Sequence, residues 1–170
     1  MADKPEVWLR GTVDGFDPLV MPAVHSLLQA REEIEQLAAT VPPELVWQTP
    51  GGAASIGFHV RHLGGALDRL LTYARGEALN DAQKIALRAE GAAGEPPATL
   101  AHVVGEVSLL IDRALAQLRA MDQAALLQPR AVGRAALPTN TLGLVFHAAE
   151  HCTRHAGQAI TTAKILMAKP

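Results

Sequence analysis

The chain has 170 residues, a length typical of one domain, and it carries 15 Lys and Arg against 17 Asp and Glu. A formal charge of -2 provides no basic surface for a phosphate backbone, so we expect no nucleic-acid partner. No apolar run approaches the ~18–20 residues of a membrane span, and the N-terminus lacks the apolar stretch of a signal peptide. We therefore expect a single domain over residues 1–170, located in the cytoplasm and without a membrane partner.

The spacing of apolar residues and turn signals predicts four long helices, at about residues 18–39, 55–75, 100–121 and 141–168. Ser55 is the expected N-cap of the second helix. A short helix over about 80–89 is expected in the next connection, followed by a peripheral loop over 89–98. Since no segment shows convincing strand alternation, the predicted fold is an all-α, antiparallel four-helix bundle with a short extra helix between helices 2 and 3.

Histidine is the residue type that stands out, with seven copies, five of them in two clusters. On the last helix His147, His151 and His155 are spaced four apart, and neighbours at this spacing can present two ring nitrogens to one metal ion. At about 100° per residue, His151 and His155 fall on the apolar face and His147 falls at its border. Two buried imidazoles side by side need a partner, and this pair therefore predicts a bound cation.

A third ligand has to come from another helix, and the second helix contains His59 and His62. Periodicity favours His59, which lies about 60° from the centre of the apolar stripe, whereas His62 lies about 120° away. A bundle helix touches two neighbours, however, and a second seam through Phe58, His62, Ala66 and Tyr73 also fits the sequence. The residues alone leave the choice between the two histidines open.

The other polar candidates have ordinary structural explanations. We expect His25 and His102 to be half-buried, hydrogen-bonded side chains, since neither has a partner within sequence reach. Cys152 is expected to be a small core residue, and Glu150 with Arg154 a surface pair. The glutamate of the HExxH motif is absent, which argues against a zinc protease, and the lack of paired ExxH motifs excludes a di-iron carboxylate protein.

Two segments resemble the DinB/YfiT-like superfamily of metal-binding four-helix bundles: SIGFHVRHL over residues 55–63, and HxxEHxxRHxGQ over residues 147–158. The resemblance extends to the order and spacing of the helices over nearly the whole chain. It implies a divalent metal ion, nickel or zinc, held by His62, His151 and His155 with the remaining positions open to water. On this resemblance His59 becomes a substitute ligand or a hydrogen-bond partner of a ligand.

Some relatives in this family are thiol-dependent S-transferases or isomerases, in which the metal stabilises the thiolate of a small thiol. The resemblance therefore implies a metal-dependent enzyme that acts with a low-molecular-weight thiol on a small electrophile. Two alternatives stay open: a metal-dependent hydrolase, and a non-enzymatic, dimeric, stress-related bundle with a structural or vestigial metal site. The loops 40–54 and 128–140 are expected to line the electrophile pocket, and the many apolar or small surface residues favour a homodimer.

Overall fold

A computed structural model describes residues 4–168. The helices in this range are α1 Met21–Thr40, α2 Ile56–Ala74, α3 Asp81–Ala89, α4 Leu100–Arg119 and α5 Thr141–Met167. The four long helices pack around one apolar core, and α3 lies in the connection between α2 and α4, which confirms the predicted all-α bundle with its short extra helix. None of the helices within residues 4–168 is long and apolar enough to span a membrane.

The helix starts follow the capping signals in the sequence. The Ser55 hydroxyl accepts a hydrogen bond from the backbone N of Phe58 at 3.1 Å, and Asn80, Thr99 and Asn140 cap α3, α4 and α5 in the same way. The first helix begins at Met21 rather than at the predicted residue 18, because residues 17–20 first form a hydrogen-bonded turn.

The start of α2 is fixed by Trp47 in the loop that precedes it. The indole Nε1 donates a hydrogen bond to the carbonyl of Ala98 at 2.8 Å, which ties this loop to the start of α4. The indole ring packs against Gly57, where a Cβ would lie only 2.7 Å from the ring, and Gly57 N donates to the carbonyl of Val46 at 2.8 Å. These contacts set the position of the first turns of α2, which carry the predicted ligand candidates.

The helix α2 lies between α4 and α5 and contacts both. Gly64 packs against Val107, and the carbonyl of Leu71 accepts a hydrogen bond from Gln117 Nε2 at 3.0 Å, so α2 and α4 run in the same direction. The contacts between α2 and α5 have the reverse order. The bundle therefore combines a parallel pair with an antiparallel one, because the connection over residues 75–99 returns the chain before α4 begins.

The loop over 128–140, predicted to be irregular, contains a two-stranded antiparallel hairpin of β1 Pro129–Val132 and β2 Leu137–Asn140. Each strand has only four residues and includes a proline, which hides the strand alternation in the sequence. Arg130 Nε donates to the carbonyl of Ala74 at 2.7 Å, so the hairpin sits at the end of α2, about 18 Å along the axis from His62. The expectation that this loop lines a pocket at the histidines is therefore wrong.

Candidate metal centre

Four histidines from α2 and α5 meet where these two helices cross. His62 Nε2 lies 3.0 Å from His151 Nε2, and His59 Nδ1 lies 3.1 Å from His155 Nδ1. The ring centroids of His151 and His155 are 4.5 Å apart, as are those of His62 and His155. Since the earlier residue on α2 faces the later one on α5, the two helices are antiparallel here, and the i, i+4 pair on α5 projects towards α2 as predicted.

One ring nitrogen from each of His62, His151 and His155 lies within 4.8 Å of the other two. Metal–nitrogen bonds are about 2.0–2.1 Å long, so nitrogens roughly 3–4 Å apart can share one ion. The donor set contains imidazoles only, which suits zinc or nickel rather than magnesium or calcium. The structure therefore contains a histidine cluster that can hold a divalent metal ion.

His59 is buried and lies beside this group rather than within it. Its Nδ1 contacts Nδ1 of His155, and Nε2 of His155 forms no hydrogen bond within residues 4–168. This is the geometry of a hydrogen-bond partner that orients a ligand, the second of the two roles left to His59 by the family resemblance.

The carboxylate of Glu90 lies behind the ring of His62. Its Oε2 is 2.6 Å from His62 Nδ1, and its Oε1 accepts a hydrogen bond from Arg69 Nη1 at 2.6 Å. A carboxylate accepts hydrogen bonds, so Nδ1 of His62 carries the proton, and in the neutral ring Nε2 presents its lone pair towards His151. Residues 89–98 were expected to be peripheral, and this is wrong for Glu90, which is only 4% exposed.

The nitrogens of His151 also fit a metal ligand. Its Nδ1 is buried without a hydrogen-bond partner in the described part of the chain, while its Nε2 faces the Nε2 of His62. A proton on His151 Nε2 makes this contact a hydrogen bond but leaves the buried Nδ1 lone pair without a donor, whereas a proton on Nδ1 leaves two Nε2 lone pairs facing each other. A cation between the two rings removes this conflict, and the residues present therefore fit a metal ion.

The remaining histidines lie outside the group of three. His147 is exposed, with Nδ1 2.7 Å from Glu150 Oε1, and these two residues form a second close group with His151. Glu150 is already paired with Arg154 at 2.7 Å, as predicted for this surface pair. Elsewhere, His25 is half-buried and Nε2 lies 3.0 Å from the carbonyl of Gly11, as expected. His102 is exposed rather than half-buried, since it lies on the outer face of α4 next to Glu106.

Burial favours the neutral form of His59, His151 and His155. Burial, followed by the nearby His62, lowers the pKa of His59 and His151 and lowers the pKa of His155 to about 4. A metal ligand must be unprotonated, so a proton competes little for these rings near neutral pH.

Cys152 faces the core and is fully buried, as predicted for a small core residue. Its Sγ lies 3.8 Å from the carbonyl of Leu63, and burial raises the pKa of the thiol to about 12. A buried, protonated thiol is a poor nucleophile, and Cys152 belongs to neither group of side chains in residues 4–168 that could share one metal ion.

A cavity of about 570 Å³ opens next to His59. One wall is formed by Ala53 and Ala54, which belong to the loop 40–54 that was expected to line a pocket at this site. The opposite wall is polar and comes from α5, including Arg154 and Gln158. A small molecule in this cavity lies beside the histidine cluster.

We expect the metal-free protein to lose stability as the pH falls from about 7 towards 4. Histidines in the unfolded chain titrate near pH 6.5, whereas His155 in the folded chain titrates at about 4. Between these values the unfolded state binds protons that the folded state does not, so the free energy of unfolding decreases as the pH falls through this window. Above about pH 6.5 His155 is unprotonated in both the folded and the unfolded state, so no stability is lost through its titration.

Thermal unfolding in EDTA at pH 7.5 and pH 5.0 measures this loss. The His155→Gln variant removes the most strongly shifted group, so its Tm should fall less between the two pH values than that of the parent. Equal decreases in Tm in the parent and in His155→Gln would contradict the assignment of the lowered pKa to His155.

Neither Glu90 nor Arg69 was predicted from the sequence to lie near the histidines. Arg69 follows His62 by seven residues, so the two side chains lie on nearly the same face of α2, and this spacing was the available signal. Glu90 follows the end of α3 in a segment with no hydrophobic period, and nothing in its local sequence distinguishes it from an exposed loop residue.

A family model described as the DinB superfamily matches residues 26–159, which is well over half of the chain and includes both histidine motifs. No curated protein matches the chain. The match to the family agrees with the helical bundle and with the histidine cluster between α2 and α5. The chain belongs to the DinB superfamily.

Proposed function

We propose that this protein is a metal-dependent S-transferase, in which His62, His151 and His155 hold a nickel or zinc ion and a small thiol reacts with a small electrophile. The observation that carries the proposal is the convergence of three imidazoles from two helices with no fourth side-chain ligand from the described residues in their group. Three protein ligands with a remaining position are typical of catalytic rather than structural sites.

The ion, when bound, would lower the pKa of a coordinating thiol and so supply a thiolate at neutral pH. Burial lowers the pKa of His151 and His155 and so favours the unprotonated rings that a metal ion needs. The thiol of Cys152 is buried and protonated, so it does not compete with a small thiol for the ion. The cavity beside His59 provides space for the thiol or the electrophile, and Arg154 and Gln158 offer hydrogen-bond donors there.

The transfer balances without an oxidant or a reductant. A lone pair on the sulfur forms the new C–S bond, and the leaving group departs with the electron pair of its bond to carbon. The thiol proton passes to solvent. No carboxylate or histidine beyond the cluster is required to act as a base, because a thiolate needs no further deprotonation.

The test is a conjugation assay with zinc-loaded and nickel-loaded protein. Glutathione or L-cysteine is the thiol and 1-chloro-2,4-dinitrobenzene the electrophile, with the rate followed by product absorbance. We expect a rate above that of thiol and electrophile alone, which is lost in the metal-free protein and in His151→Ala. With cobalt-loaded protein, thiol addition should produce a sulfur-to-cobalt charge-transfer absorption.

Other outcomes overturn the transferase proposal in different ways. Hydrolysis of p-nitrophenyl acetate without a thiol, with the same dependence on His151, would identify a hydrolase. Bound metal with neither activity nor thiol coordination would support a structural site. The cytoplasmic location and the homodimer stay predictions.

A further inference from the structure

Glu90 is a buried carboxylate whose two oxygens each have a different partner. Oε2 faces Nδ1 of His62 and Oε1 accepts from Nη1 of Arg69, both at 2.6 Å. Glu90 is 4% exposed and Arg69 is 8% exposed. Burial of a charged pair costs desolvation free energy, and such pairs give little net stability compared with apolar residues of similar size. The free-energy cost of burying the Arg69–Glu90 pair is explained if Glu90 has a function at the neighbouring His62.

The surface of α2 is shaped to receive Glu90. At Gly65 a Cβ would overlap Oε1 of Glu90 and would lie 2.8 Å from Arg69 Nη1, so a larger residue would displace the ends of both side chains from these positions. Arg61 donates a hydrogen bond to the carbonyl of Ala92 at 2.5 Å, which holds the segment after α3 against α2. The carboxylate is therefore placed by several independent contacts along one helix.

We propose that Glu90 is a positioning residue of the metal centre, which keeps His62 in the form protonated on Nδ1 and so directs the Nε2 lone pair to the ion. A histidine ligand that donates its other N–H to a carboxylate is held in one orientation and becomes more basic. Arg69 and Gly65 act through Glu90, since the guanidinium holds the second oxygen and the glycine provides the space. The inference rests on the metal centre of the proposed function.

A purely structural role for the ion pair gives different results from a positioning role. A structural pair affects folding and leaves the metal affinity of the folded protein unchanged. A positioning residue affects metal affinity only through His62, so its effect must disappear when His62 is absent.

The experiment measures the zinc affinity of the full chain by competition with a chromophoric chelator, in the parent and in Glu90→Gln. The carboxylate has an acceptor oxygen for each of its two donors, whereas the amide has only one acceptor. We expect Glu90→Gln to bind zinc about 10–100-fold more weakly. Glu106→Gln is the matched control, because Glu106 also lies next to a histidine, 3.5 Å from His102, but on the exposed surface. It should leave the affinity unchanged.

The same substitution is then made in a His62→Ala background, where His151 and His155 remain and the weakened zinc affinity is measured by titration at higher zinc concentrations. Glu90→Gln should cause no further loss of zinc affinity there, and a second loss of similar size would overturn the positioning role. An unchanged affinity of Glu90→Gln in the His62-containing protein would also overturn it, while leaving the metal centre itself intact. A parent protein that binds no zinc after reconstitution would instead overturn the proposed function, and the inference with it.

A measurement on the parent covers the case in which Glu90→Gln does not fold. In the zinc-loaded protein labelled with ¹⁵N-histidine, NMR distinguishes protonated from metal-bound ring nitrogens. We expect the signals of His62, assigned by carbon-13 labelling of the same histidines and correlation with its backbone resonances, to show a proton on Nδ1 and the metal on Nε2. The opposite pattern would contradict the proposal.

Discussion

Replacement of His151 or His155 by alanine is expected to abolish stoichiometric metal binding. The two rings lie 4.5 Å apart and, with His62, form the group of three. Loss of a ligand removes a direct bond to the ion, so the effect should exceed the roughly 10–100-fold loss caused by a change in a ligand's hydrogen-bond partner. Metal content after gel filtration, measured by mass spectrometry on tag-free protein, is the test. His62→Ala should behave in the same way.

Two further histidine variants serve as controls. His59→Ala removes a side chain that touches His155 Nδ1 but lies outside the group of three, so it should retain most of the metal at a reduced affinity. His102→Ala lies on the exposed face of α4 and should have no effect. Loss of metal with His59→Ala and retention with His62→Ala would assign the third ligand to His59 instead.

Arg69→Met is expected to cause the largest loss of stability among the substitutions discussed here. The substitution leaves the buried carboxylate of Glu90 without its guanidinium partner, and breaking a buried pair in this way costs about 3–5 kcal/mol. Urea unfolding of the metal-free protein in EDTA measures the change in the free energy of unfolding, with no contribution from lost metal.

Arg75→Met is the matched control for this experiment. Arg75 pairs with Glu77 at 2.8 Å, but both side chains are largely exposed, and such pairs contribute about 0–1 kcal/mol. The double variant Arg69→Met with Glu90→Met removes both charges and should recover much of the stability lost in Arg69→Met. A loss in Arg69→Met no greater than that in Arg75→Met would contradict a buried, mutually dependent pair.

Much of the secondary structure was predictable because its signals are local. The Ser55 hydroxyl, the proline and glycine punctuation and the helical period of apolar residues placed α2 and α5 to within a few residues. The hairpin over 129–140 was missed for the same reason, since four-residue strands with prolines give too few positions for a period of two to appear.

Helical periodicity alone does not determine whether His59 or His62 is the third ligand. An angle around the axis of α2 states which face a residue occupies, but it does not state which neighbouring helix packs on this face. Both histidines turn out to lie on the side of α2 that meets α5, each opposite a different histidine. The family resemblance selected His62 as the ligand, and its experimental test is still the metal content of the variants.

The sequence by itself determined the helices, the bundle and the histidine pair on α5, because each depends on residues within a few turns of one another. Only the tertiary structure brought Glu90 to His62 and placed His59 against His155. Residues 62 and 90 are joined through the rest of α2, a turn and α3, and their contact depends on how α3 docks on α2 and on the space that Gly65 leaves. No local pattern encodes such a contact, because it results from the packing of two elements that are distant in the sequence.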